Sequence, residues 1–187
     1  SFGLHTIRKA KDRGAITIIE RGSSHMLYQQ AILGDEYEKF GLEAQLPHPE
    51  IVEKELQEYK EADFISVPSI FVKRTFIEKG IPESKLIHVP YGVDLSEFKQ
   101  IPKEDNTFRI IHCGGITLRK GVHYLLQVFC ELNLPNAELW LIGATSDEIK
   151  PFLKSYDNRR IFHKGPYPQK ELYKYYSQGS IFVIMSI

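Results

Sequence analysis

The sequence predicts an α/β protein built on parallel sheets with helices on both faces. Three observations lead there. Short β-branched, apolar runs alternate with helical stretches along the whole chain. Each run closes on a glycine, serine or proline turn that opens into the next helix. The composition is globular: 42% of the 187 residues are hydrophobic and 26% are charged, which argues against long disorder. That length is one domain or two small ones.

The elements follow in order. Leu4–Arg13 reads as a helix closed by Gly14. Ala15–Ile19 is a short β-branched run, hence a strand, and Glu20–His25 is the turn after it. Ser23 or Ser24 is placed to cap a helix running to about Phe40, which Gly41 ends. Beyond Pro47-His48-Pro49, a helix carries Val52, Leu56 and Tyr59 at i, i+4 and i+7. Asp63–Val67 is a strand, Pro68-Ser69 starts a helix that Gly80 stops, and Lys85–Val89 is a strand. After the turn Pro90–Asp94, the polar stretch Leu95–Asn106, broken by Pro102, is the expected linker between two domains, 1–98 and 99–187. The second domain begins with a strand at Phe108–Cys113, followed by Gly114-Gly115. The next helix shows Val122, Leu125, Leu126 and Phe129 at i, i+3, i+4 and i+7. Then come a strand at Glu138–Ile142, a helix near Asp147–Tyr156, a strand at Arg160–Lys164, a helix at Gln169–Ser177 and a last strand from Ile181.

Charge and composition exclude several function classes. Lys+Arg and Asp+Glu both number 24, so the basic excess of a nucleic-acid binder is missing. No run of 18 apolar residues exists to span a bilayer, although peripheral membrane association of a longer parent stays open. The two cysteines, Cys113 and Cys130, read as reduced and buried, in keeping with a cytoplasmic protein. The chain has no initiator Met and opens inside a helix. It stops on Ile181–Ile187, a strand whose composition is that of a fully buried one. Burying four such side chains is worth about 6–12 kcal/mol, comparable to the stability of a whole domain. The expectation is therefore a piece of a longer protein with an uncovered, adhesive C-terminal end.

In open parallel sheets, ligands bind beyond the carboxyl ends of the strands. The richest such turn is Cys113-Gly114-Gly115-Ile116-Thr117-Leu118-Arg119-Lys120-Gly121. Its glycines allow close backbone approach, the next helix aims its N-terminus at the same space, and Arg119 and Lys120 add two charges. Together these suit a diphosphate. The plainer alternative is a glycine turn with basic residues facing solvent. The order Lys-Gly is not a P-loop, and no G-x-G-x-x-G is present. No Asp-x-Asp pair, H-E-x-x-H, C-x-x-C or G-x-S-x-G occurs, so neither a metal nor a serine nucleophile is indicated. Cys113 follows a strand and reads as a small buried hydrophobe rather than a nucleophile.

A series of segments then becomes specific in its order: Glu61–Ser69, Phe76–Gly80, Val89-Pro-Tyr-Gly-Val-Asp94, Ile111-His-Cys-Gly-Gly115, Arg119-Lys-Gly121, Leu139-Trp-Leu-Ile-Gly143 and Ile161-Phe-His-Lys-Gly165. Across residues 15–187 this order resembles glycosyltransferase family 4. The resemblance implies the GT-B architecture of two Rossmann-like domains, both incomplete here. By the same resemblance, 1–98 is the C-terminal part of an acceptor-side domain and 99–187 the N-terminal part of a nucleotide-sugar donor domain. Lys120 resembles the family's basic residue on the donor diphosphate. Many members carry an Arg where this chain has Gly115, so Arg119 becomes the candidate second cation. Gly114, Gly115 and Gly143 resemble the tight donor turns, with Thr145 where many members have another glycine. Gly165 and Tyr167 lie in the segment resembling the base-holding loop. On the acceptor side, the family's histidine near Glu20 and Arg21 is missing, which leaves Arg21, Ser23 and His25 as candidates; for His25 a helix-start or packing role stands beside the functional one. The family's E-x7-E segment would begin just after Ser186-Ile187.

The reading that follows is a retaining hexosyltransferase piece, expected to be inactive alone. The parent would transfer a sugar from a nucleoside-diphosphate-sugar to a hydroxyl of a glycan, lipid or small-molecule acceptor in polysaccharide biosynthesis. No metal or other cofactor would be required, with Arg119 and Lys120 stabilising the leaving diphosphate. Two rivals stand beside it. A GT-B-shaped sugar-nucleotide epimerase would turn over without acceptor, and a non-catalytic α/β scaffold would bind no nucleotide.

Overall fold

The structure, a computed structural model, describes residues 3–156 and 158–187. The chain divides into two units, Ser1–Gly92 and Val93–Ile187. Among the described residues no helix is long and apolar enough to cross a membrane.

The first unit contains α1 (Leu4–Lys11), β1 (Ile18–Glu20), α2 (Met26–Lys39), α3 (Pro49–Glu61), β2 (Phe64–Val67), α4 (Ile70–Glu78) and β3 (Leu86–His88). Its sheet has the order β1-β2-β3 and is parallel throughout. Ile65 and Val67 alternate inward along β2 and meet Tyr59 of α3, Val72 and Phe76 of α4 and Leu86 of β3 in one apolar core. Removing these side chains from water supplies the main driving force for this unit.

Strand β1 is shorter and starts later than its composition suggests. The expected strand began at Ala15, yet Ile16 and Ile18 are exposed. Two causes are visible. β1 is an edge strand, so only one side of it is paired. The backbone N–H and hydroxyl of Thr17 both donate to the Asp63 carboxylate, at 2.8 and 2.7 Å, so a side chain replaces the first rung of the ladder. Capping differs as well. Neither Ser23 nor Ser24 caps α2; the cap is His25, whose Nδ1 accepts from the backbone N–H of Leu27. His48 does the same for α3, accepting from Glu50 N, and Ser69 caps α4. Helix α1 is held onto α3 through Glu58, whose carboxylate accepts from the N–H groups of Gly3 and Leu4, and through the two-pronged Arg8–Glu61 pair.

The second unit contains β4 (Phe108–Cys113), α5 (Val122–Leu132), β5 (Ala137–Ile142), α6 (Lys150–Ser155), β6 (Ile161–Gly165), α7 (Leu172–Tyr176) and β7 (Ile181–Phe182). All its strands are parallel, in the order β6-β5-β4-β7. The chain starts in the middle of the sheet, moves outward, then crosses back to the other side of β4. That reversal makes a topological switch point at the carboxyl end of β4. Helix α5 buries Val122, Leu125, Leu126 and Phe129 on the stripe that its periodicity predicts. The polar stretch 95–106 lies in this unit and is fastened to the segment after α7. Ile101 N donates to Ser177 Oγ, and Glu104 N donates to the Gln178 side chain, which in turn donates to Pro102 O.

The last strand departs most from expectation. Only Ile181 and Phe182 pair with β4, and both are about half exposed, as is Ile184. A run with the composition of a fully buried strand sits at a sheet edge, where no strand pairs with its outer side among the described residues.

Candidate functional site

The carboxyl edge of the second sheet is built from three glycine turns lying side by side. Gly114 N donates to Ile142 O and Gly143 N to Gly165 O, so the ends of β4, β5 and β6 are laced together. All three glycines have positive φ, at 142°, 148° and 74°. Gly143 is constrained further: a Cβ there would coincide with the carbonyl oxygen of Gly114. Beyond the glycines the β4 and β5 turns run on together, with Ile116 N donating to Ala144 O at 2.8 Å and Ser146 N to Ile116 O at 3.1 Å.

Helix α5 starts above this floor. Its cap is Gly121, at φ 64°, and no side chain caps it. Partial positive charge therefore remains at the helix start. Arg119 is exposed and Lys120 half-buried. Among the described residues neither side chain has a hydrogen bond or ion pair. A carboxylate also reaches the turn: Glu148 accepts from the backbone N–H of Leu118 at 3.3 Å. Two cations without a partner among the described residues, beside an uncapped helix start, are an arrangement able to attract an anion.

Two features of this edge escape sequence reasoning. His112 is 1% exposed, and its ring nitrogens lie 3.2 Å from Val183 O and 3.3 Å from Gly115 O. The imidazole thereby ties the glycine turn to the chain leaving β7. The last residues wrap the same turn: Ile187 N donates to Arg119 O at 3.0 Å, and a Cβ on Gly121 would strike the Met185 carbonyl. A histidine inside a strand just ahead of Gly-Gly was the available signal for the first. Nothing in the sequence pointed to the second. Tyr167, after Gly165, is exposed and packs on Tyr175 at 4.3 Å. Burial and then the hydrogen bond to Tyr167 push the Tyr175 phenol up to about 12.

In the first unit, the turn after β1 gathers Arg21, Gly22, Ser23 and Ser24. The Arg21 guanidinium lies 3.3 Å from Glu55, and Glu55 also accepts from the Tyr59 hydroxyl. Among the described residues the buried Nε of Arg21 has no hydrogen-bond partner. Ser23 and Ser24 are half-buried. His25 faces inward instead: it is 2% exposed, caps α2, and packs against Tyr59 and Phe76 at 5.1 and 5.0 Å. Burial first, then the charges of Lys79 and Arg21, lower its pKa to about 4. It is a neutral packing histidine. Tyr91 lies over Gly22, its hydroxyl filling the place of the missing side chain.

Among the described residues no group of three or more His, Cys, Asp or Glu side chains is placed to hold a metal ion. Cys113 and Cys130 are unbridged.

The model of the family described as glycosyl transferases group 1 matches residues 94–187. No curated protein sequence matches the chain. Among solved structures, Anabaena HepE in complex with UDP and glucose superposes with a TM-score of 0.70 at 12% identity, over 97% of this chain and 49% of that one. Sucrose-phosphate synthase from Thermosynechococcus elongatus gives 0.65 at 16% identity, over 96% and 52%. The pneumococcal O-GlcNAc transferase GtfA in complex with UDP and GlcNAc gives 0.59 at 14% identity, over 98% and 35%. The chain thus spans about half the length of the first two. The likeness is one of fold: two partial Rossmann-like sheets of the GT-B kind.

Proposed function

Because the chain belongs to the group 1 glycosyl transferases, we propose that it takes part in transfer of a sugar from a nucleoside-diphosphate-sugar to an acceptor hydroxyl, with retention and without a metal, as in glycosyltransferase family 4. The second unit is the donor side and the first unit the acceptor side. One observation carries the reading: among the described residues Arg119 and Lys120 have no side-chain partner at the uncapped start of α5, beside the three laced glycine turns. The bond from the sugar's anomeric carbon to the diphosphate breaks, the acceptor oxygen takes its place on the same face, and the acceptor's proton leaves on the departing diphosphate oxygen. The negative charge growing on the diphosphate is met by two cations and the α5 dipole, in the role that a metal fills elsewhere. In this reading the glycines keep side chains out of the diphosphate's way, and Tyr167 is the candidate to hold the base. HepE and GtfA, of similar fold, are each described in complex with UDP, which supports a nucleotide as ligand. The reading also assigns the protein to polysaccharide biosynthesis in the cytoplasm.

Calorimetric titration of the chain with UDP, GDP and ADP tests the donor site. One of them binds, and Lys120→Ala and Arg119→Ala each weaken it by roughly 10-fold or more, the worth of one charge-assisted hydrogen bond. Their melting temperatures stay within a degree or so of the parent's, since both side chains lack internal partners. Equal affinity in parent and variants overturns the assignment.

A further inference from the structure

The ring of His112 lies between two backbone carbonyls. It is 1% exposed, with Nδ1 3.2 Å from Val183 O and Nε2 3.3 Å from Gly115 O. A carbonyl oxygen only accepts, so each asks the ring for an N–H. A neutral imidazole carries one N–H, and only the imidazolium carries two. The neutral ring therefore holds one carbonyl and turns a lone pair on the other. Among the described residues the ring has no other hydrogen-bond or ion-pair partner.

The two carbonyls lie on the two sides of the cationic turn. Gly115 opens the turn that runs to Gly121. Val183 leads the segment that lies against the turn's end. Val183 N donates to Ile111 O at 2.9 Å, the Met185 carbonyl stands in the place of a Cβ on Gly121, and Ile187 N donates to Arg119 O at 3.0 Å. The ring thus joins the start of the turn to the segment that bounds its end. The charged and titratable groups on the elements around it are Cys113 on β4, Arg119 and Lys120 on the turn, Glu148 on Leu118 N, His123 on α5 and Tyr176 on α7. Arg109 of β4 and Glu138 of β5 pair with each other.

We propose that His112 is a positioning residue for this turn, and that it takes up a proton from the medium when the diphosphate of a nucleotide-sugar settles there. The inference rests on reading the second unit as the donor side. A diphosphate brings two negative charges to the turn, and negative charge beside an imidazole favours its protonated form. The proton binds at the ring nitrogen that lacks one. The imidazolium then donates to Gly115 O and Val183 O together, which fixes the turn around its ligand. By linkage, proton and nucleotide-sugar strengthen each other's binding by the same factor. His112 acts here through the Gly115 carbonyl and touches neither sugar nor diphosphate.

Calorimetric titration with UDP-glucose, GDP-mannose and ADP-glucose tests this, because their diphosphates are diesters and do not titrate near neutral pH. Titration in two buffers of different ionisation enthalpy reads the proton directly. The nucleotide-sugar that binds takes up a measurable fraction of a proton. Its affinity rises as pH falls from about 8 to 6, by up to about tenfold per pH unit, the limit for one linked proton. His112→Gln keeps N–H groups for a carbonyl but does not titrate, so it binds without proton uptake and with a flat pH profile. His112→Phe keeps a ring without any N–H and binds roughly 3- to 10-fold more weakly than His112→Gln. Nitrogen NMR of the histidine-labelled parent gives the same answer without a variant: in the complex both His112 ring nitrogens are protonated. Binding without proton uptake, uptake that persists in His112→Gln, or a ring that keeps one bare nitrogen in the complex overturns this inference and leaves the donor site standing. A parent that binds none of the three overturns the donor site, and this inference with it.

Discussion

A single missing methyl decides the geometry at Gly143. Any larger residue would place its Cβ on the Gly114 carbonyl oxygen, which is backbone and has nowhere to go. The φ of 148° adds strain for an L side chain. Gly143→Ala is expected to destabilise the second unit by roughly 2–3 kcal/mol. Trp140, the only tryptophan, lies in β5 and reports the transition by fluorescence in urea. An unchanged midpoint would show that the turns separate freely. Gly22 makes the contrast. Its neighbour is the far end of an exposed side chain, so alanine there leaves stability within about 0.5 kcal/mol. Two glycines, each beside an oxygen, thus differ in cost because one oxygen is fixed and the other swings away.

At the scale of elements, helix α2 begins on a histidine that is neutral in the folded protein, with a pKa lowered to about 4. In the unfolded chain the same group titrates near 6.5. Between these values the unfolded state binds a proton that the folded state refuses, so stability falls as pH drops and is constant above the window. The full loss by pH 4 is up to ~3 kcal/mol. Urea midpoints followed by circular dichroism from about pH 7 to 4 measure it, and His25→Asn, which keeps an acceptor for the Leu27 N–H, flattens the slope. Asp63 is held down to about 2, chiefly by its hydrogen bond from the Thr17 hydroxyl, and enters only at lower pH. What was legible in the sequence follows the same logic. β4, α5 and β5 stand where their apolar periods put them, because the middle of β4, the Ala137, Leu139 and Leu141 face of β5 and the inner stripe of the helix are buried within the unit. β1 and β7 misled because they are edges: one begins with an Asp63 side chain in place of a ladder rung, the other pairs over two residues. The cap of α2 misled because serine is the commoner cap, while position and packing gave the role to His25. The glycines, Arg119 and Lys120 stand out in the sequence through residue type alone. The His112 tie and the Tyr91 seat did not, because both join segments distant in sequence.

For the whole molecule, the chain carries 24 basic and 24 acidic residues, so no net charge keeps copies apart. The half-exposed Ile181, Phe182 and Ile184 at the β7 edge then favour self-association. Sedimentation velocity should show an average mass rising with concentration, and Phe182→Lys should suppress the rise; concentration-independent monomer in the parent would refute it. Arg119 and Lys120 have a wider consequence. Neither side chain has an ion-pair partner among the described residues, so a small anion from the medium is expected to compete there with anything larger. Chloride, sulfate or inorganic phosphate is then a resident to be evicted, and the choice of buffer sets how tightly any nucleotide binds.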